Sequence, residues 1–130
     1  MNWKINGFSC LRHVVLGMAL LAPGAGQAQD WWQGIWSYDL AWCAAAGQIG
    51  EASPAPIAIS ETEFLGYELS CAIDEARALD GVGAAHLLMT CQSEGETYAD
   101  ERLVMRVDQG AKSVWIWFGA DEPLLFQRCE

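Results

Sequence analysis

A chain of 130 residues has room for one domain and not for two. Seventeen acidic residues against seven basic ones give a formal net charge of -10, which argues against nucleic acid and against an anionic membrane surface as partners, because both need a basic footprint. A composition that is 52% hydrophobic and only 18% charged argues equally against a disordered polyanion.

In chain order, the first segment reads as a targeting signal. Lys4 and Arg12 precede an apolar run from Val14 to Ala22, which is too short to span a bilayer as a helix. Pro23 and Gly24 break the run, and Gly26 and Ala28 supply the small residues of a cleavage site before Gln29. Residues 1–28 are therefore expected to be a secretory signal peptide, and residues 29–130 a single exported domain. Cleavage would remove Lys4, Arg12 and Cys10. That leaves 102 residues, with five basic residues against seventeen acidic ones (a formal charge of -12) and four cysteines.

The remaining sequence lacks long helical periodicity and alternates period-two stretches with turn residues. Strands are expected at 34–38, at 57–60, from Tyr67 toward Leu79, at 87–91, at 103–107, at 113–118 and at 124–128. Residues 44–56, with Ser53-Pro54-Ala55-Pro56, read as a loop. Asp80-Gly81-Val82-Gly83 and Ser93-Glu94-Gly95-Glu96 read as turns. The stretch Asp74–Leu79 is ambiguous, since its composition also suits a short helix. Seven or eight short strands in consecutive order predict an all-β antiparallel meander closed as a small barrel, which leaves no exposed sheet edge. A β-sandwich is the alternative.

An even cysteine count in a small exported domain predicts two disulfides. Cys71 and Cys91 each lie ten residues from Gly81. A hairpin centred on that turn places them opposite each other, so Cys71–Cys91 is the preferred pair and leaves Cys43–Cys129. Cys43–Cys71 with Cys91–Cys129 is the alternative, because four cysteines allow three connectivities. A zinc site is disfavoured, with no C-x-x-C pair and with His86 as the one histidine after residue 28.

No hydrolase or phosphate-loop motif is present. His86 next to a turn, and the carboxylates Glu94, Glu96, Asp100 and Glu101, are the residues a hydrolase would have to use. The carboxylates are expected in a solvated hairpin loop, without the spacing of a calcium loop. No catalytic residue, cofactor or metal is therefore assigned. Tryptophan is the stronger signal. Val114, Ile116 and Phe118 alternate with Trp115 and Trp117, so a core formed by the first set puts the two tryptophans together on the outer face. Trp36, mid-strand, is expected in the core. Trp31 and Trp32 precede the first strand, which a closing meander brings beside the last ones. Trp31, Trp32, Trp115 and Trp117 are the candidate aromatic binding patch, for a protein or a polysaccharide. The acidic charge points to cationic proteins in particular.

The motifs Gly34-x-Trp36, Trp42-Cys43, Pro56-Ile57-x-Ile59, Gly66-Tyr67-Glu68-x-x-Cys71, Cys91-x-x-Glu94-Gly95 and Arg128-Cys129 resemble a group of small exported bacterial proteins of unknown function. Gly34-x-Trp36 followed by Gly66-Tyr67-x-Leu69-x-Cys71 is also similar to the bacterial metalloprotease-inhibitor barrels. That resemblance implies a lipocalin-like eight-stranded fold with an inhibitory segment ahead of the barrel, here Gln29–Gln33. Lysozyme-inhibitor barrels are similar in size, with Ser93–Tyr98 a loose counterpart of their inhibitory motif. These resemblances imply a periplasmic or secreted, non-catalytic protein that binds and inhibits a lysozyme or protease. The alternatives are a structural envelope component and a hydrolase.

Overall fold

The computed structural model describes residues 29–119 and 121–130; the expected leader, residues 1–28, lies outside them. The described residues form eight antiparallel strands: β1 (Gly34–Ser37), β2 (Ile57–Ile59), β3 (Glu63–Gly66), β4 (Leu69–Leu79), β5 (Ala84–Ser93), β6 (Glu96–Arg106), β7 (Ser113–Trp117) and β8 (Leu124–Arg128). Each strand pairs with the next, and β1 pairs with β8 through Trp36↔Arg128 and Ser37↔Gln127, closing the barrel. None of the described helices is long and apolar enough to cross a membrane.

Alternation places the core. Trp36, Phe64, Leu87, Val104, Val114 and Ile116 point inward and are buried, and this is the parity expected for β7. Trp36 is anchored as well as buried, since its indole Nε1 donates to the Trp32 carbonyl at 2.9 Å.

Both disulfides of the preferred pairing are present, Cys43–Cys129 and Cys71–Cys91. Cys71 and Cys91 are direct cross-strand partners, although the hairpin is not a simple fold about Gly81. A bulge at Asp74 shifts the register by one, so that Leu79 faces Ala84 across the Asp80–Val82 turn. Thr90 Oγ1 donates to Asp74 Oδ2 at 2.7 Å and holds the bulged residue. Two disulfides are the mark of an oxidising, extracellular compartment.

Two local expectations need correction, and one ambiguity is resolved. Residues 44–48, expected to begin a loop, belong instead to a 3-10 segment over Leu40–Gln48; Asp39 caps it by accepting from the Ala41 N–H at 2.9 Å. The ambiguous 74–79 stretch is strand, because pairing with β5 overrides its helix-forming composition. Of the four carboxylates expected in a hairpin loop, Glu94 lies in the turn, whereas Glu96, Asp100 and Glu101 lie within β6. Residues 96–99 are exposed on both faces, so they carry none of the apolar alternation by which a strand is read.

Candidate functional site

The outer face of β6–β8 carries an aromatic patch. Trp115 lies between Met105 on β6 and Leu125 on β8, and Trp117 lies opposite Leu103. Trp115 is 37% exposed, while Trp117 is half-buried. Trp117 and Leu103 line a groove with Leu79, His86, Glu101 and Gly119. The tryptophans sit side by side because residues i and i+2 of a strand share a face, and Val114 and Ile116 fill the core beneath them.

Trp31 and Trp32 are placed differently. Trp32, expected in an exposed patch, is only 5% exposed and belongs to the hydrophobic core. Trp31 is half-buried, edge-on to Trp32 at 5.5 Å between ring centroids, and 5.6 Å from the Arg106 guanidinium. The Trp31 carbonyl accepts from Arg128 Nη2 at 2.7 Å, so this segment is tied to the barrel wall. It closes one end of the barrel instead of extending freely from it. The reason is Arg128, which also donates to Gln33 O at 2.9 Å and to Ala111 O at 3.1 Å while stacking 4.1 Å above Trp36. Burial holds the Arg128 pKa below its ordinary value, but the group stays charged at any physiological pH.

The other end holds an aromatic cluster that strand periodicity did not reveal. Tyr38, Trp42, Ile57, Tyr67, Phe118 and Phe126 line a pocket of about 440 Å³ there. Phe118 packs against both Phe126 and Phe64, with ring centroids 5.8 and 6.4 Å apart. Aromatics thus run from the exposed Tyr38 down to the core. They come from three regions far apart in sequence: the β1–β2 connection, β3 with the turn after it, and the end of β7 through β8. The local signal was Tyr38 and Trp42 flanking the Asp39 cap, which brings both rings to one side.

Beneath Phe118 lies Arg102, 7% exposed, with its guanidinium 4.8 Å from the Phe118 centroid and 5.7 Å from that of Phe64. Its Nη1 pairs with Asp100 at 2.7 Å, and its Nε has no hydrogen-bond partner among the described residues. Burial would raise the Asp100 pKa, but the hydrogen bonds from Arg102 and the Glu101 N–H and the arginine charge outweigh it, so the carboxyl sits below its ordinary value.

The acidic candidates do not converge. Asp100 faces inward to Arg102, whereas Glu101, on the outer face, pairs with His86 Nε2 at 2.7 Å. Among the described residues there is no group of three or more His, Cys, Asp or Glu placed to hold a metal ion. The groove beside His86 and Glu101 is lined by Leu79, Leu103, Trp117 and Gly119, none of which carries a nucleophile for a catalytic histidine.

Charge is segregated. Arg102 is buried, and Arg106 and Arg128 are partly buried, so Arg77 and Lys112 are the exposed cations among the described residues. The surface offered to a partner is therefore more acidic than the composition alone indicates. Comparison with protein-family models, curated proteins and solved structures found no match for the chain.

Proposed function

We propose that this chain is an exported, non-catalytic binding protein, periplasmic or secreted, whose partner docks on the outer face of β6–β8. The observation that carries this reading is the pair Trp115 and Trp117, held side by side on a rigid sheet with Leu103, Met105 and Leu125 across from them. Tryptophans supply large contact area at low entropic cost, which is why they dominate binding hot spots. The acidic surface, from which three of five arginine and lysine side chains are withdrawn, would attract a cationic protein and raise its on-rate at low salt. A cationic lysozyme or secreted protease is the partner class that best fits this combination, with inhibition as the consequence of docking. Tethering of the Trp31–Gln33 segment by Arg128 favours docking on the sheet face over insertion of a free N-terminal segment.

Titration against a panel of cationic lysozymes and secreted proteases, followed by tryptophan fluorescence and by residual hydrolase activity, tests the reading. Binding that is lost in Trp115→Ala and Trp117→Ala variants is the expected result. Binding unaffected by both substitutions, or no binding across the panel, would sink it and leave a structural envelope role in its place.

The pocket lined by Tyr38, Trp42, Tyr67, Phe118 and Phe126 supports a second reading, capture of a small apolar or aromatic ligand at the barrel mouth. Quenching that survives Trp115→Ala and is lost in Trp42→Phe would favour it.

A further inference from the structure

β4 is flanked unequally along its length. Leu69–Ala72 have β3 on one side and β5 on the other. Ile73 makes the next bond toward β3, its N–H donating to the Thr62 carbonyl at 2.8 Å. From Glu75 to Leu79 the strand pairs with β5 alone, and every residue from Asp74 to Leu79 is exposed. A closed barrel is expected to have no free edge, yet among the described residues this stretch is one. A row of unpaired N–H and C=O groups is a template for another strand.

We propose that this edge of β4 pairs, antiparallel and across a two-fold axis, with the same edge of a second copy of the chain. The argument is the self-complementarity of Glu75-Ala76-Arg77. A two-fold axis normal to the sheet keeps each residue on its own face, so the register must be centred on a residue. Centring on Glu75 or on Arg77 sets that charge against its own copy. Centring on Ala76 sets Glu75 against Arg77 of the second copy, and Arg77 against its Glu75, with two small alanines at the axis. Within one chain Arg77 already holds Glu75 through two bonds, Nε–Oε1 at 2.6 Å and Nη2–Oε2 at 2.9 Å. Both side chains are therefore presented together on one face, and pairing closes a ring of four alternating charges. Arg77 is also one of the two exposed cations among the described residues. On an otherwise acidic surface, it stands where a like-charged copy would have to approach.

The test is sedimentation of the purified, disulfide-bonded protein at about 0.15 M salt, where a Debye length of roughly 8 Å screens the net repulsion between copies. Over about a hundredfold range of concentration, the expected mass rises from monomer toward twice that value. Glu75→Arg and Arg77→Glu each place like charges across the axis and should weaken self-association about tenfold or more. An equimolar mixture of the two variants should recover it as a heterodimer, and the double exchange E75R/R77E should recover it as a homodimer. Both residues are exposed, so unchanged far-UV circular dichroism and melting temperature check that the variants fold. A wild-type chain that stays monomeric at every concentration overturns the proposal; the charges would then only blunt the edge. So does self-association that neither reversal weakens, or a mixture of the reversed variants that does not associate.

Discussion

Replacing Arg128 with methionine should lower folding stability by about 3–4 kcal/mol, although the side chain shares the inward face of its cross-strand partner Trp36 and not the proposed outer docking face. Its guanidinium donates to three carbonyls, those of Trp31, Gln33 and Ala111, which belong to the N-terminal segment and the β6–β7 turn. At about 1 kcal/mol for each partly solvated bond, and about 1 kcal/mol for stacking on Trp36, the sum reaches about 4 kcal/mol. Methionine keeps some of the stem packing and lowers the loss slightly. Arg128→Lys keeps the charge but cannot reach three divergent carbonyls, so it should lose more than half as much. Urea unfolding with both disulfides intact, read by tryptophan fluorescence, measures each value at an unchanged slope. Gly34 supplies an internal check. It adopts φ +148°, and a Cβ there would collide with Arg128 Nη1. Gly34→Ala should therefore cost about 1 kcal/mol less in the Arg128→Met background than alone, a coupling that distant sites do not show. A loss below about 1 kcal/mol for Arg128→Met, or strict additivity with Gly34→Ala, would refute the view that Arg128 locks the segment ahead of β1 to the barrel.

Removing Cys43–Cys129 with a double alanine substitution should cost about 4–5 kcal/mol, since the bridge closes a separation of 86 residues; Cys71–Cys91 spans 20, giving about 3 kcal/mol from chain entropy, to which its burial adds lost packing. Urea midpoints of the two double variants check both values. Because the Asp100 pKa is depressed in the folded state, its contribution is present above the ordinary aspartate value of about 3.9 and is lost as pH falls through the lower folded value. Acid unfolding of wild type should accordingly include a step below about pH 4 that is smaller in Asp100→Asn, followed by circular dichroism against pH. Trp115→Ala should lower stability by about 1–2 kcal/mol, since the ring is 37% exposed between Met105 and Leu125, while abolishing the quenching by a partner docked on the sheet face, as urea unfolding and fluorescence titration check.

The barrel is legible in the sequence because its signals are local. Val114, Ile116 and Phe118 against Trp115 and Trp117 is a period of two, and a period of two sorts residues between faces with no knowledge of what lies across. The pairing of Cys71 with Cys91 followed from a turn and equal spacing. The Asp74 bulge, which the spacing could not reveal, is needed for that pair: the turn sets Leu79 against Ala84, a register that would put Cys71 opposite Gln92, and the extra residue shifts it by one to Cys91. Tertiary structure decided what depends on neighbours distant in sequence. Trp32 is buried because Arg128, near the other end of the chain, pulls the N-terminal segment onto the barrel. Arg102 is buried because Phe64 and Phe118 cover it and Asp100 pairs with it; in sequence it is one more surface arginine. Tyr38, Trp42, Tyr67, Phe118 and Phe126 meet only after closure. Alternation shows which way a side chain points, and closure of the barrel decides what it meets there.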